Sequence, residues 1–488
     1  MKKRSLVLVT VDCLRADHVG FLGYSRPVTP NLDALAGESV VFSNAIVAGA
    51  PTYFSFPAIL ASRYPLSLGR DILGIAPHES TITTVLQQCG YRTAAFLAGN
   101  PYLSPRFGYD VGFDTFDDFL GSTASEESEL PAPAEKKRLS DFNRFLQATS
   151  RRTRLTASAY DELYFWYCQW RSSRENLSMA ALRRYPAADV MVDRACSWLS
   201  GLGDQPFFLW IHMMDPHYPH YPPQEALSDL GVSNITSRRA RFLNSVWSGD
   251  DTRLRRLQSY RDEILSLYDG GVYWVDKQVS RLVSCLRQAQ RWDETVFVLT
   301  ADHGEEFLEH GGRYHSPLNL SDEVIRVPLL VRTPDVPPMR RVESPFSLIH
   351  LAPTLVEAVG AEVPGGFQGR SHWGPIANAT DWPGELAIAE SVGTGRNPIR
   401  TEERMRPGQM MVRERTHKLV IHFGEQTERL YDLQNDPGEQ APVPAGAFVS
   451  ERVRLLQAAH AHLQRTRHNR DADLILRARL REFQQSAN

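Results

Sequence analysis

Five cysteines are spread over 488 residues, and no two stand as CxxC. That scarcity argues against a disulfide framework or a zinc-thiolate cluster, and it suits a reducing compartment. Neither sign of charge dominates: 54 Lys and Arg face 57 Asp and Glu. Nothing in the balance points to nucleic acid or an anionic membrane as partner. No run of about 18 apolar residues exists, so no membrane span is expected. With 32 glycines and 31 prolines, the chain is no low-complexity sequence. The first apolar run, Leu6 to Val11, stops at Asp12. It falls short of the ~7–15 residues of a signal segment and has no small-residue cleavage site after it. It reads as a buried first strand, and a cytoplasmic protein is expected.

What is present has the texture of an α/β enzyme. Hydrophobic residues make up 42% and charged residues 23%. Short β-rich apolar runs (Leu6–Val11, Thr93–Ala98, Phe207–Ile211, Thr295–Leu299) alternate with helical patterns at Thr81–Cys89, Ala187–Leu199 and Ile264–Leu286. Thr29-Pro30 has the form of an N-cap followed by Pro at the first helical position. The alternation predicts a doubly wound, mostly parallel sheet. Residues 121–185 differ: a Ser/Glu/Pro-rich stretch precedes a basic, aromatic, helical one, which predicts a helical insertion. From about 376 short β-like runs and turns return, closed by an amphipathic helix over Phe448–Phe483. We expect a catalytic unit over 1–375 and a small α+β subdomain over 376–488.

Chemistry in an open α/β sheet gathers outside the carboxyl ends of the strands. Asp12 ends the first run, Asp302-His303 follow TVFVLT, and HMMDPHYPHYPP follows FFLWI. Any one alone could be a turn carboxylate or a satisfied histidine; three at equivalent strand ends suggest a shared site. Oxygen and imidazole donors without thiolate suit Mn²⁺, Mg²⁺, Ca²⁺ or Zn²⁺.

These segments resemble those of the sulfatase family in the alkaline-phosphatase superfamily. VTVDCLRADHVGFLGYSRPVTPNLDALAGESVVFSNAI resembles the family's N-terminal signature, and APTYFSFPAILASRYP its nucleophile segment. QPFFLWIHMMDPHYPHYPP and TADHGEEFLEHGGRYHSPLNLSDEVIRVPLLVRTP resemble its middle and second metal segments. LIHLAPTLVEAVG and KLVIHFGEQTERLYDLQNDPGE resemble its closing ones. The resemblance implies an alkaline-phosphatase-like fold and one divalent metal ion (Ca, Mn or Zn), held by Asp12, Asp302, His303 and the nucleophile. Cys13 stands where many sulfatases have a second aspartate. Thr52 falls at the place of the cysteine or serine that becomes formylglycine, and the motif's proline and arginine are missing. No formylglycine can arise at a threonine, but phosphodiesterases and phosphotransferases of the superfamily use an unmodified one. A hydroxyl beside a cation at a helix N-terminus is activated by both. The other readings of the segment are Thr52 as an N-cap and Ser55 as nucleophile.

The resemblance further implies that His217 stabilises or protonates the leaving oxygen and that His315 binds nonbridging oxygens. Asn100 sits where many sulfatases place a lysine-histidine pair and would donate to the transferring group. Arg15 and Asp17 are expected as a structural ion pair, His310 as a loop residue, and Asp215 with His220 as a poor fit to a second metal. The expected activity is metal-dependent hydrolysis of a sulfate or phosphate ester through a covalent threonine intermediate, with a small-molecule or glycan ester as substrate. The alternatives are a phosphotransferase acting on a glycan or other alcohol, and an inactive binding homologue.

Overall fold

The structure is a computed structural model. It describes residues 3–69, 73–120, 177–248, 254–334, 336, 340–380, 384–392 and 408–466, with Thr156, Leu163 and Trp166 standing alone between them. At its centre β1 (Ser5–Val11) lies between β5 (Phe207–Met213) and β6 (Thr295–Ala301), parallel to both. Every residue of these three strands is buried, which is why their sequences read as continuous apolar runs rather than alternating ones. The sheet continues past β5 through β3 (Arg92–Leu97) to β4 (Thr115–Asp117), again in parallel. Past β6 come β9 (Arg326–Arg332), β2 (Val40–Ile46) and β10 (Arg340–Val342), with β11 (Phe346–Ser347) also on β2. β9 runs antiparallel to both neighbours, so the sheet is mostly but not wholly parallel. The α/β class expected from the alternation is the one observed.

Helices Pro30–Ala36, Ala188–Ser200 and Leu254–Gln288 pack together in one group against the sheet; Thr52–Ala61, Ile82–Gln88 and Leu351–Ala358 form another. The first group corrects one expectation and refines another. Cys196 and Cys285 form a disulfide, with Cα atoms 5.9 Å apart, between two of these helices. Eighty-nine residues separate them in sequence, so no local motif announces the pair. The bond also removes the cysteine-based argument for a reducing compartment. Thr29 is the N-cap residue of the helix Pro30–Ala36 and Pro30 opens it, as expected, but the Thr29 side chain makes no capping bond. Its hydroxyl is taken by Gly20 and Asp33 instead. The cap comes from afar: Asp276, on the long helix, accepts from Leu32 N at 2.7 Å and Asn31 N at 3.2 Å, and from the Asn31 amide at 2.7 Å. Its removal leaves the buried Leu32 amide unpaired, at a cost of ~1–3 kcal/mol. Asp276→Ala is therefore expected to lower the unfolding free energy by roughly 1–3 kcal/mol. Urea denaturation measures this, and a loss near zero would refute the remote cap.

The C-terminal part is built differently. β12 (Ala387–Ser391), β13 (Gln409–Arg413), β14 (His417–His422) and β15 (Thr427–Asp432) form an antiparallel sheet. The helix Val449–Thr466 covers it, with Leu455, Leu456, Ala459 and Leu463 packed into an apolar cluster with Met410, Val412 and Leu419. Most of the expected insertion lies outside the described residues, as does the part of the expected terminal helix beyond 466. No helix among the described residues is long and apolar enough to cross a membrane.

Candidate active site

The carboxyl ends of the central strands deliver the candidate residues to one place. Asp12 directly follows β1, and its amide donates to Met213 O at the end of β5. Asp302 and His303 follow β6, and all three are fully buried. The turn that carries them is tight: a Cβ on Gly304 would collide with the carbonyl of Glu323. Thr52 opens the ten-residue helix Thr52–Ala61, one position inside its N-terminus.

His303 Nε2 is the hub. It lies 3.3 Å from Thr52 Oγ1, 3.5 Å from Asp302 Oδ2 and 3.8 Å from Asp12 Oδ1. Such separations suit ligands lying 2.0–2.6 Å from one shared ion. Two further observations make the set fit a divalent cation. His303 Nδ1 faces Gly304 O at 2.9 Å, so Nδ1 carries the proton and Nε2 keeps its lone pair, the tautomer a ligating histidine needs. Asp302 Oδ2 is buried without a hydrogen-bond partner among the described residues. Asp12, Asp302, His303 and Thr52 would hold the ion.

The electrostatics of the donor set suit a divalent cation. Burial, and then repulsion from Asp12, push the Asp302 carboxyl up to about 7. Burial also raises Asp12, but the attraction of His217, His212 and His303 outweighs it and holds that carboxyl well below the usual range. Burial lowers His303 and keeps it neutral. One cation between the carboxylates would relieve the repulsion that Asp302 otherwise feels.

The remaining expected residues divide. His315 stands beside His303, ring centroids 4.4 Å apart, and His217 beside His315 at 5.2 Å. Asn100, after β3, is in the site but not where the sequence puts its amide: Nδ2 donates to Asp12 Oδ2 at 3.0 Å. It orients the Asp12 carboxylate and so is partly spent before any substrate arrives. Ser55 is also occupied, donating to Thr52 O at 3.1 Å. Thr52 is not an N-cap; Pro51 holds that position, with no side-chain capping bond. Arg15 is structural. Its guanidinium binds Asp17 at 2.6 Å, Glu309 at 2.8 Å and Glu305 O at 3.0 Å, bracing the loop after β6. Asp215 pairs with Arg183 at 3.0 Å, and His310 with Glu323 at 3.2 Å.

Three residues at the site were not singled out from sequence. His212, the first residue of the segment HMMDPHYPHYPP, lies inside β5 and places Nε2 3.4 Å from Asp12 Oδ2. Glu305 lies fully buried, 3.4 Å from His315 Nδ1. Tyr185 packs edge-on against His217, centroids 5.4 Å apart. A cleft of about 650 Å³ opens over Thr52, lined by Tyr53, Tyr102, Tyr185, Tyr314 and Arg313 together with Asn100, His217 and His315.

A family model described as Sulfatase matches residues 4–361. The "multifunctional alkaline phosphatase superfamily protein PehA" of Trinickia caryophylli is 22% identical over 504 aligned residues, covering 90% of this chain and 91% of that one. Among solved structures, the phosphonate monoester hydrolase of Agrobacterium radiobacter superposes with a TM-score of 0.63 at 17% identity, covering 98% and 96%. A protein solved with its substrate D-glucosamine-2-N,6-O-disulfate gives 0.67 at 17% identity, covering 97% and 100%. With the family model spanning most of the chain and the solved relatives sharing its fold end to end, the protein belongs to the sulfatase family of the alkaline-phosphatase superfamily and is a sulfatase-like ester hydrolase.

Proposed function

We propose that the protein is a metal-dependent hydrolase of phosphodiesters or phosphonate monoesters that works through a covalent Thr52 intermediate. The observation that carries this reading is Thr52 Oγ1 lying 3.3 Å from His303 Nε2, at a helix N-terminus and under the cleft. When bound, the ion would lower the proton affinity of the attacking hydroxyl and neutralise charge developing on the transferring group. Thr52 Oγ1 attacks phosphorus, and the bond to the ester oxygen breaks. His217 stabilises or protonates that oxygen, while His315 binds the nonbridging oxygens. Water then displaces threonine at phosphorus and restores the hydroxyl.

Phosphorus is preferred over sulfur on chemical grounds. Formylglycine expels sulfate by elimination from its hydrate, with no attack on the sulfated enzyme. A threonine ester has no such exit and needs a second displacement at the central atom. The absent motif arginine also weakens the cradle for a dianion. The relatives named above include both a phosphonate monoester hydrolase and a protein acting on a sulfated sugar, so both chemistries lie within reach of the fold. The tyrosine-lined cleft suits a sugar ring, which favours a glycan ester or, in transfer, a glycan acceptor.

The test is a panel of nitrophenyl phosphodiester, phosphonate, phosphate and sulfate esters with added Mn²⁺, Ca²⁺ or Zn²⁺. The expected result is metal-dependent release from the phosphodiester or phosphonate. Fast aryl sulfate hydrolysis with no phosphodiester activity would overturn the preference, and release only in the presence of an added alcohol acceptor would identify a transferase.

A further inference from the structure

Tyr185 lies in none of the segments that carry the family resemblance, yet its side chain reaches the cleft. It lines that space together with Thr52, Asn100, His217 and His315. Its ring stands edge-on to His217, centroids 5.4 Å apart. One buried carboxylate anchors the chain on both sides of it. Asp215 Oδ1 accepts from Arg183 Nη1 and Oδ2 from Ala188 N, each at 3.0 Å. Arg183 Nε adds a bond to Tyr221 O at 2.8 Å. Ala188 opens the helix Ala188–Ser200, so Tyr185 is held between a fixed side chain and a fixed helix start.

The ring is packed but the hydroxyl is unspent: it makes no hydrogen bond among the described residues. Two nearby tyrosines use theirs on backbone carbonyls, Tyr218 on Asn244 O at 3.1 Å and Tyr314 on Trp247 O at 3.0 Å. Burial raises the Tyr185 phenol above its ordinary range, and the charge of Asp12 raises it further, outweighing the pull of Arg184. The hydroxyl therefore keeps its proton at neutral pH, and it stands where the charge of Asp12 is felt. The site has need of such a donor. The motif arginine and the lysine-histidine pair are missing, and the Asn100 amide already donates to Asp12. A protonated donor on a rigid segment stabilises charge as it develops, with little reorganisation at the moment of reaction.

We propose that Tyr185 is a further catalytic residue, whose hydroxyl donates a hydrogen bond to a nonbridging oxygen of the transferring group. The role rests on the proposed hydrolytic reading. The bond strengthens as that oxygen gains charge in the five-coordinate arrangement, so it acts on the rate more than on substrate binding. The phenol transfers no proton. A neutral donor asks for no second negative charge on the substrate, in keeping with a phosphodiester or phosphonate monoester.

The experiment compares the full-length, metal-loaded wild type with Tyr185→Phe, which keeps the ring against His217 and removes only the hydroxyl. Turnover is measured on aryl phosphodiesters with good and poor leaving groups, and vanadate, a mimic of the five-coordinate arrangement, is titrated by calorimetry. Tyr185→Phe is expected to lower kcat by roughly 10²-fold with KM changed by less than about threefold, and to bind vanadate at least about tenfold more weakly. The kcat loss should be the same for all leaving groups, since a nonbridging oxygen is common to them. Equal vanadate affinity in the two proteins overturns the proposal. A rise in KM alone overturns it too, by making Tyr185 a wall of the cleft, and so does a loss that grows with leaving-group pKa, by moving the hydroxyl to the leaving oxygen. A wild type that hydrolyses none of the esters removes the proposed function, while the vanadate comparison still decides on Tyr185.

Discussion

Thr52→Ala is expected to lower turnover of the best ester in the panel by roughly 10³-fold or more, the scale on which loss of a nucleophile is felt. Ser55→Ala is expected to keep most of the activity. The two hydroxyls sit three residues apart on one helix and look interchangeable in sequence; their surroundings separate them. Thr52 Oγ1 faces His303 Nε2, and its position at the helix start exposes it to the positive end of the helix dipole. Ser55 has its proton committed to Thr52 O, so it neither faces the donor cluster nor is free to attack. Both positions are buried, and circular dichroism of each variant controls for folding. Thr52→Ser should retain part of the rate, since it keeps the hydroxyl and loses only a methyl group. A Thr52→Ala enzyme that turns over normally would refute the mechanism, whatever the panel shows about substrate.

The residues legible in sequence were those whose position follows from a strand. Asp12 and Asp302 each come directly after a buried apolar run, and burial on both faces is what makes such runs visible. Resemblance supplied Thr52, His217 and His315, for no periodicity marks them. The residues that escaped are defined by long-range contacts. His212 opens the histidine segment in sequence but lies within β5, and it meets Asp12 only because β5 lies beside β1. Asn100 meets Asp12 across 88 residues, a contact that depends on how β3 and β1 are ordered in the sheet. Asp276 and the Cys196–Cys285 bond are of the same kind: each joins elements whose adjacency only the packing of the long helix decides. Cys13 was read as a missing aspartate. Its backbone conformation and its contacts with Asp12 and His315 give it a place of its own.

Asp302→Asn is expected to move activity and stability in opposite directions. Activity should fall by roughly 10³-fold or more, because the change removes a charged ligand from the ion that Thr52 depends on. The metal-free protein should nevertheless become more stable at neutral to alkaline pH. Burial and the nearby Asp12 raise the Asp302 carboxyl from its ordinary 3.8 to about 7 in the folded chain. Between those values the folded state holds a proton that the unfolded state has released. Stability of the metal-free wild type therefore declines as pH rises from about 4 through about 7, then levels off. Asparagine keeps the shape and carries no charge, so the variant should lack that decline and exceed the metal-free wild type by a few kcal/mol at pH 8. Adding metal should reverse the order, since an ion that binds only the folded wild type stabilises it by mass action. Thermal melts of both proteins from pH 5 to 8, with chelator and with added Zn²⁺, measure all of this. Parallel pH profiles for the two metal-free proteins would show that Asp302 is not held under repulsion, and that the site does not store the strain a cation would relieve.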